Sequence, residues 1–346
     1  MSRSFARAPW LNRFAWLLAG CTLFLICSGG MVTSKGVGLS VPDWPTTFGY
    51  NMFLFPVSQW VGGIFFEHTH RLAASAIGLL TIILAVWLWR VESRKWLRVL
   101  GIVALGAVIL QGVLGGLRVT LLKDEIGIFH ACLAQAFFGL LVLIAVATSK
   151  SWNERMAEKR GGSALWFPIV ATALIYLQLG LGATMRHQHR DLAILDFPAA
   201  YGSVIPDTSP KRLAEINQMR DARALSDVTA GQIWLQLVHR FGALLVTIGV
   251  VASWFIFRRG QGHVSSRLKN LSTVWVGSVF CQITLGAWTI WSNKAADIAT
   301  AHVAMGATLL ALGIGISALS WRQCHNSGEA TQNALTSRAL ERAHAL

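Results

Sequence analysis

Four histidines lie near the ends of long apolar segments, and they form two matching pairs. The first pair is His70 and His130, and the second pair is His239 and His302. A charged side chain at the centre of a bilayer costs roughly 2.5–3.5 kcal/mol or more, so such residues usually have a function. Two neutral imidazoles on facing helices can hold a metal ion or a heme iron. The four histidines are therefore predicted to be the iron or metal ligands of two sites.

One acidic residue distinguishes the two pairs. Glu67 precedes His70 by three residues, which places both on one face of a helix, whereas the equivalent residue beside His239 is Gln236. A carboxylate can exchange a proton or balance a developing positive charge, and an amide can only form hydrogen bonds. The difference predicts that chemistry takes place in the first half and that the second half holds a cofactor. Alternatively, Glu67 is an exposed residue outside the membrane that favours the start of a helix.

An arginine directly follows the first histidine of each pair. These residues are Arg71 and Arg240, and they are candidates for binding the propionates of a heme. An arginine that extends toward the membrane surface is an equally good interpretation. Arg118 has Thr289 as its counterpart in the second half, so it is a candidate for binding a substrate carboxylate in the first half only.

Composition indicates an integral membrane protein. Hydrophobic residues make up 54% of the chain and charged residues only 13%. About 20 apolar residues cross the hydrocarbon core, and a helix satisfies its own backbone there. We therefore predict an all-α integral membrane protein with eight transmembrane helices. The predicted spans are Leu11–Thr33, Glu67–Arg90, Leu97–Val119, Ile126–Thr148, Ala164–Met185, Gln232–Phe257, Leu271–Trp291 and Ala295–Trp321.

The net charge of +14 is explained by membrane topology. Of the 30 Lys and Arg residues, 18 fall in the N-terminus, the even-numbered loops and the C-terminus, together with only 5 of the 16 Asp and Glu residues. Cationic loops stay in the cytoplasm, so both termini are predicted to be cytoplasmic in a multi-pass protein of the cell (inner) membrane. This distribution favours membrane lipid as a partner and argues against nucleic acid.

An internal duplication organises the chain. Residues 29–45 align without a gap on residues 182–198, and the histidine motifs continue the alignment at a larger offset. Four helices per repeat restore the original orientation, so two tandem parallel four-helix bundles are expected. The predicted units are residues 1–149 with an outer loop at 34–66, a cytoplasmic linker at 150–163, residues 164–322 with an outer loop at 187–231, and a cytoplasmic tail at 323–346.

The outer loops have different compositions. The first is apolar and is expected to lie on the membrane surface and cover the first bundle. In the second, residues 210–227 are predicted to form a surface helix, with a solvated connector as the alternative. His68 has no histidine counterpart and is treated as a non-ligand, while His187 and His189 are expected in a loop at the outer surface. Four of the five cysteines lie in spans, so no disulfide is expected.

Together these motifs resemble those of the heme A synthase family over roughly residues 10–322. The resemblance implies oxidation of the heme O methyl group to a formyl group by successive hydroxylations, which gives heme A for terminal oxidases. It places Glu67, His70 and His130 in the half that binds heme O, the substrate. It implies that His239 and His302 bind a resident heme B. The residues that carry it are Glu67-x-x-His70-Arg71, His130, His239-Arg240, His302 and the segment from Gly29 to Pro45.

The resemblance also implies partners. These are heme O synthase as the donor of the substrate, terminal oxidase assembly factors, and an electron donor that the sequence does not identify; a homo-oligomer is compatible with it. Many bacterial relatives carry a cysteine pair in the first outer loop, and this chain has none there. Two other classes of protein would use the same histidines: a di-heme b-type electron-transfer or quinol-oxidoreductase protein, and a heme transporter or chaperone. The electron-transfer protein would have no use for Glu67.

Overall fold

The computed structural model describes residues 9–153, 166–188, 192–260 and 264–344, without the side chains of residues 151 and 323–344. The predicted linker therefore lies largely outside the described residues, apart from a short helix at Lys150–Asn153. The predicted tail is described only as backbone, and it continues the last helix to His344.

Eight helices of the described chain have the length and hydropathy of membrane spans, so the protein is an all-α, multi-pass membrane protein. Each predicted span corresponds to one of them. They are α1 Pro9–Ser34, α2 Gly62–Val91, α3 Lys95–Leu121, α4 Asp124–Ala147, α5 Trp166–His187, α6 Ala230–Arg259, α7 Ser266–Trp291 and α8 Ala296–His344.

Three predicted boundaries are wrong by five residues or more. Helices α2 and α7 begin at Gly62 and Ser266, five residues before the predicted starts at Glu67 and Leu271, and α8 continues well past Trp321. The charge of Glu67 suggested a helix end, but an ion pair with Arg71 at 2.7 Å neutralises it, so it is accommodated inside the helix. The end of α8 was predicted from hydropathy, which shows where the apolar segment ends. The backbone stays helical beyond that residue.

The helices of each repeat contact one another in a closed ring. In the first repeat α1 and α3 each contact both α2 and α4, and in the second repeat α5 and α7 each contact both α6 and α8. The rings meet where α8 contacts α1 and α4, and where α4 contacts α5. This pattern is compatible with two tandem bundles, while the division of the chain at residues 149, 163 and 322 stays a prediction.

Two long loops lie at one end of the rings, which we call the loop end because α1, α3, α5 and α7 finish there. The first long loop (residues 35–61) contains short 3-10 turns at Met52–Leu54 and Val57–Gln59. The second long loop (residues 188–229) contains a helix at Pro210–Asp221, so the predicted helix is confirmed there, whereas residues 222–227 lie outside it. Ile216 and Val228 are buried in an apolar cluster of this loop, so the solvated connector is wrong.

Helix α8 packs closely against α5 and α7. Trp275 of α7 is fully buried, and its indole N–H donates to the carbonyl of Leu309 at 3.0 Å. Gly313 lies opposite, where an added Cβ atom would approach Trp275 Cζ2 to 2.9 Å and Thr172 Oγ1 to 2.5 Å. A glycine is therefore required at this crossing, because close packing leaves no room for a methyl group.

We predict that Gly313→Ala destabilises the protein by about 1–3 kcal/mol, the usual cost of overpacking a core. The measurement is the thermal unfolding midpoint of the purified protein in detergent. Gly277→Ala on α7 is the matched control, since nothing lies within 4 Å of a Cβ atom there. Equal midpoints for the two variants would contradict the close α5–α7–α8 crossing.

Candidate functional site

The structure brings the predicted histidines together as two pairs. His70, His130, His239 and His302 each lie within the first ten residues of α2, α4, α6 and α8, respectively. At a rise of 1.5 Å per residue, all four lie within roughly 15 Å of the loop end. The imidazoles of each pair are close enough to interact electrostatically, His70 with His130 and His239 with His302. Each ring of helices therefore contains one pair on helices that face each other across it.

A glycine on a neighbouring helix makes room for each imidazole. The glycines on α1, α3, α5 and α7 leave so little space that an added Cβ atom would touch the ring. The distances from that Cβ to ring Cε1 are 3.0 Å for Gly29 and His70, 3.3 Å for Gly115 and His130, 3.4 Å for Gly182 and His239, and 3.0 Å for Gly286 and His302. Side-chain volume on the flanking helices thus fixes where each ring can lie.

A glutamine one helical turn before Gly115, and another before Gly286, contacts the same histidine as the glycine does. Gln111 donates from Nε2 to the carbonyl of His130 at 3.0 Å, and Gln282 Nε2 lies 3.4 Å from His302 Nε2. In both cases the amide oxygen is buried and has no hydrogen-bond partner among the described residues. The repeated Gln-x-x-Leu-Gly element therefore places one polar and one glycine contact on the same histidine.

Glu67 and Gln236 accept hydrogen bonds from equivalent backbone positions of the two long loops. Glu67 is 4% exposed, and its Oε2 accepts from the backbone N–H of Val41 at 3.0 Å. Gln236 is 3% exposed, and its Oε1 accepts from the N–H of Ile194, the equivalent of Val41, at 2.7 Å. Glu67 is therefore buried, and the alternative of an exposed residue outside the membrane is wrong.

The arginine of each motif binds loop carbonyls. Arg71 donates to the carbonyls of Asp43 at 2.7 Å, Val41 at 2.9 Å and Thr46 at 3.2 Å. Its Nη2 also donates to Glu67 Oε1 at 2.7 Å. Since an arginine carries five N–H donors in a fixed fork, one side chain can fix several points of a loop. Arg71 thus attaches the first long loop to α2.

Arg240 makes the equivalent contacts without a carboxylate partner on α6. It donates to the carbonyls of Asp196 at 2.7 Å and Ala199 at 2.8 Å, and its guanidinium lies 5.4 Å from the ring of Phe197. Its Nε is buried and has no hydrogen-bond partner among the described residues. The role of both arginines toward a heme stays a prediction.

Both arginines hold a turn of the same shape. Asp43 accepts from the N–H groups of Phe48 at 2.7 Å and Gly49 at 2.9 Å, and Asp196 accepts from those of Tyr201 and Gly202 at the same distances. Partial burial opposes ionisation of Asp43, but the bonds from Gly49, the Thr46 hydroxyl and Phe48 outweigh it and lower the pKa of the carboxyl group. An ionised aspartate therefore closes the turn in the first repeat.

Three polar contacts near the histidines were not predicted. Arg186 of α5 donates to the carbonyl of Gly30 and to the hydroxyl of Ser34 on α1, and it lies close enough to His302 to act on it electrostatically. Gln178 donates to the carbonyl of His239 at 2.6 Å. The third contact joins His68, which is fully buried, to the first long loop. The apolar runs that hold these residues gave no indication of which helix each would face.

Arg118 has no arginine counterpart in the second repeat. Arg118 of α3 donates to the carbonyl of Gly38 in the first long loop at 3.1 Å and acts electrostatically on His130. The prediction that Arg118 binds a substrate carboxylate stays open.

The prediction that His187 is a surface loop residue is wrong, because it ends α5 and is 7% exposed, while His189 lies outside the described residues.

The donor set of each site fits a porphyrin iron. Within the described ranges, no group of three or more His, Cys, Asp or Glu side chains is arranged to hold a bare metal ion. A heme iron takes four nitrogens from the porphyrin and needs only two axial ligands, which a histidine pair supplies. The Nδ1 atoms of His130 and His302 are buried and have no hydrogen-bond partner among the described residues. The four cysteines whose side chains are described are free thiols.

Sequence comparison assigns the family. A family model described as cytochrome oxidase assembly protein (COX15-CtaA) matches residues 12–314. The chain belongs to this family. Several relatives carry the name heme A synthase, and they include the following three. The protein from Shouchella clausii is 25% identical over 274 residues, which cover 77% of this chain and 90% of the relative.

The other two relatives cover more of the chain. The heme A synthase of Beijerinckia indica is 26% identical over 323 residues, which cover 82% of this chain and 84% of the relative. The heme A synthase of Shewanella oneidensis is 23% identical over 337 residues, which cover 91% of this chain and 97% of the relative. The predicted membership of the heme A synthase family is therefore confirmed.

We predict that Arg71→Met releases the first long loop, because three backbone carbonyls and Glu67 lose a donor and each unpaired buried group costs about 1–3 kcal/mol. Chymotrypsin should then cleave the purified protein after Phe48, Tyr50 or Phe53, which are exposed, about tenfold faster or more. Arg90→Met, at the other end of α2, is the control. Equal cleavage of the two variants would show that Arg71 does not hold the loop.

Proposed function

We propose that this membrane protein oxidises the methyl group of heme O to a formyl group and thereby produces heme A. Membership of the family and relatives named heme A synthase support this activity. The observation of this chain that carries it is that, of two equivalent histidine sites, only the first has a carboxylate three residues before its first histidine. Glu67 in the first repeat and Gln236 in the second make the same bond to the loop backbone, and only the first can take part in acid–base chemistry.

The first repeat is the substrate half of this proposal. His70 and His130 would hold the iron of heme O, with Glu67 less than one helical turn from His70. Both oxygens of Glu67 already accept one hydrogen bond, and each keeps a second lone pair. The carboxylate can therefore accept a proton or stabilise positive charge without releasing the loop. Since Gln236 holds its loop equally well, anchoring alone does not require the charge, which supports a role of Glu67 in turnover.

The second repeat is the cofactor half. His239 and His302 would ligate a resident heme B, which supplies one-electron transfer when bound. Because no carboxylate on α6 pairs with Arg240, its charge is available to a propionate, and its buried Nε is a suitable donor. In the first repeat the charge of Arg71 is offset by Glu67, so this residue would hold a propionate less strongly.

The topology proposed for this activity follows the distribution of charge. The protein lies in the inner membrane with both termini in the cytoplasm, because cytoplasmic loops retain Lys and Arg. The loop end then faces the outer side, and both histidine pairs lie near that surface. Heme O synthase is the proposed donor of the substrate, and terminal oxidase assembly factors are the proposed acceptors of the product.

The test of the function is heme analysis of cells that make heme O. Cells expressing the wild-type chain should contain the formyl product by chromatography and mass spectrometry, and cells expressing Glu67→Gln should retain heme O. The Glu67→Gln protein should keep its heme B, because a glutamine makes the same loop contact in the second repeat. Unchanged heme O with the wild-type chain would exclude the activity and favour an electron-transfer or transport protein, and full conversion by Glu67→Gln would exclude the role of the carboxylate.

The cofactor assignment is tested at Gly286. In Gly286→Val, the side chain would occupy the place of the His302 ring, whose Cε1 lies 3.0 Å from an added Cβ atom. We expect heme B binding to weaken by about 10- to 100-fold, the usual effect of disturbing the surroundings of a metal ligand. The Soret absorbance per protein measures it, and Gly277→Val on the same helix is the control. Equal absorbance of the two variants would contradict ligation by His302.

A further inference from the structure

The two long loops carry the same turn and equivalent bonds to their arginines, but they differ in one contact between turn and helix. In the first repeat, Nδ1 of His68 on α2 lies 3.2 Å from the hydroxyl of Thr47 in the turn. The equivalent residues of the second repeat are Leu237 and Ala200, and both belong to the apolar cluster of the second long loop. A polar contact thus occupies the position that an apolar contact occupies in the duplicate.

His68 is the centre of the attachment of the first long loop. Its side chain is fully buried, and its ring lies 5.1 Å from the ring of Phe55 and 4.8 Å from the ring of Trp60. Its Nε2 is buried and has no hydrogen-bond partner among the described residues. A buried polar atom without a partner disfavours the closed state, and it regains hydrogen bonds with water once the loop lifts. A leucine at this position would carry no such penalty.

Several apolar side chains of the first long loop are exposed. Phe53, Leu54 and Val57 are 67%, 76% and 75% exposed, and Val41, Thr47 and Phe55 are its buried residues. The second long loop instead encloses an apolar cluster, which includes Ile194 and Ile216 at 0% exposure. Polar bonds from α2 and α6 hold both long loops, and among the described residues only the second long loop also encloses an apolar cluster of its own.

We propose that His68 and Thr47 form a polar latch that sets how readily the first long loop lifts from α2. The latch lies beside the first histidine site, since Thr47 follows Thr46, whose carbonyl accepts from Arg71 beside Glu67. This role rests on the proposed function, in which a substrate enters and a product leaves the first repeat while a cofactor stays in the second. A loop over an exchanging ligand must open in each cycle, and a loop over a resident one has no such need.

Hydrogen exchange of the full-length protein in detergent tests the latch without any turnover. The measured peptide covers residues 41–50, and the peptide covering residues 194–203 is the internal control. Thr47→Val removes the hydroxyl and leaves a second buried ring nitrogen unpaired, so exchange should accelerate by about tenfold, within the range of roughly 5- to 150-fold expected for such a group. Thr47→Ser keeps the hydroxyl and should exchange like the wild type.

The residue pair of the second repeat should have the opposite effect. The double variant His68→Leu with Thr47→Ala should exchange several-fold more slowly than the wild type, because the buried ring nitrogens are replaced by apolar groups. The reciprocal variant, Leu237→His with Ala200→Thr, should accelerate exchange in the second long loop only. Opposite directions for Thr47→Val and the double variant distinguish a latch from general damage to packing, and the same direction for both would overturn the proposal.

A kinetic measurement links the latch to the substrate. In the slow-exchanging double variant, conversion of heme O already bound should proceed at the wild-type rate, while multiple turnovers should slow several-fold with heme B content unchanged. Unchanged multiple turnover would overturn the link between the latch and exchange of the substrate. If the wild-type chain makes no heme A, the proposed function fails, and the exchange measurements still decide whether the latch exists.

Discussion

The hydrocarbon core of a membrane offers no hydrogen-bond partner, and most of this structure follows from that constraint. The backbone of each span is satisfied by helix formation, but the two long loops have exposed carbonyls that must be paired where they approach the helices. Arg71 and Arg240 supply those donors from inside α2 and α6. The arginines thereby fix the loops over the histidine pairs, and the position of Glu67 depends on this attachment.

The two repeats share the residues that position the loops and the imidazoles, and they differ in several of the residues around them. The turn closed by an aspartate, the arginine that binds it, and the glycine that faces each imidazole occur in both repeats. Four of the differences lie where the first long loop meets the helices, and at each of them the first repeat has the more polar or the charged residue. These pairs are Glu67 and Gln236, His68 and Leu237, Thr47 and Ala200, and Arg118 and Thr289. Divergence of this kind is consistent with one half that reacts and one half that holds a cofactor.

The two histidine sites are linked through the seam between the repeats. Arg186 of α5 donates to the carbonyl of Ala299 on α8 at 3.4 Å and to the carbonyl of Gly30 on α1. Gly30 follows Gly29, against which the ring of His70 packs, and the side chain of Thr300 on α8 packs against Gly30. One partly buried side chain therefore joins helices of both repeats.

The sequence by itself determined the eight helices, the repeat, the four histidines and the exchange of Glu67 for Gln236, because these depend on hydropathy and on residue identity at aligned positions. It did not reveal that Glu67 is buried, that Arg71 and Arg240 bind loop carbonyls, or that His187 ends a buried helix. These features depend on which helix faces which loop. Apolar segments that are buried or lipid-facing on all sides carry no pattern that specifies their neighbours, so only the tertiary packing decided them.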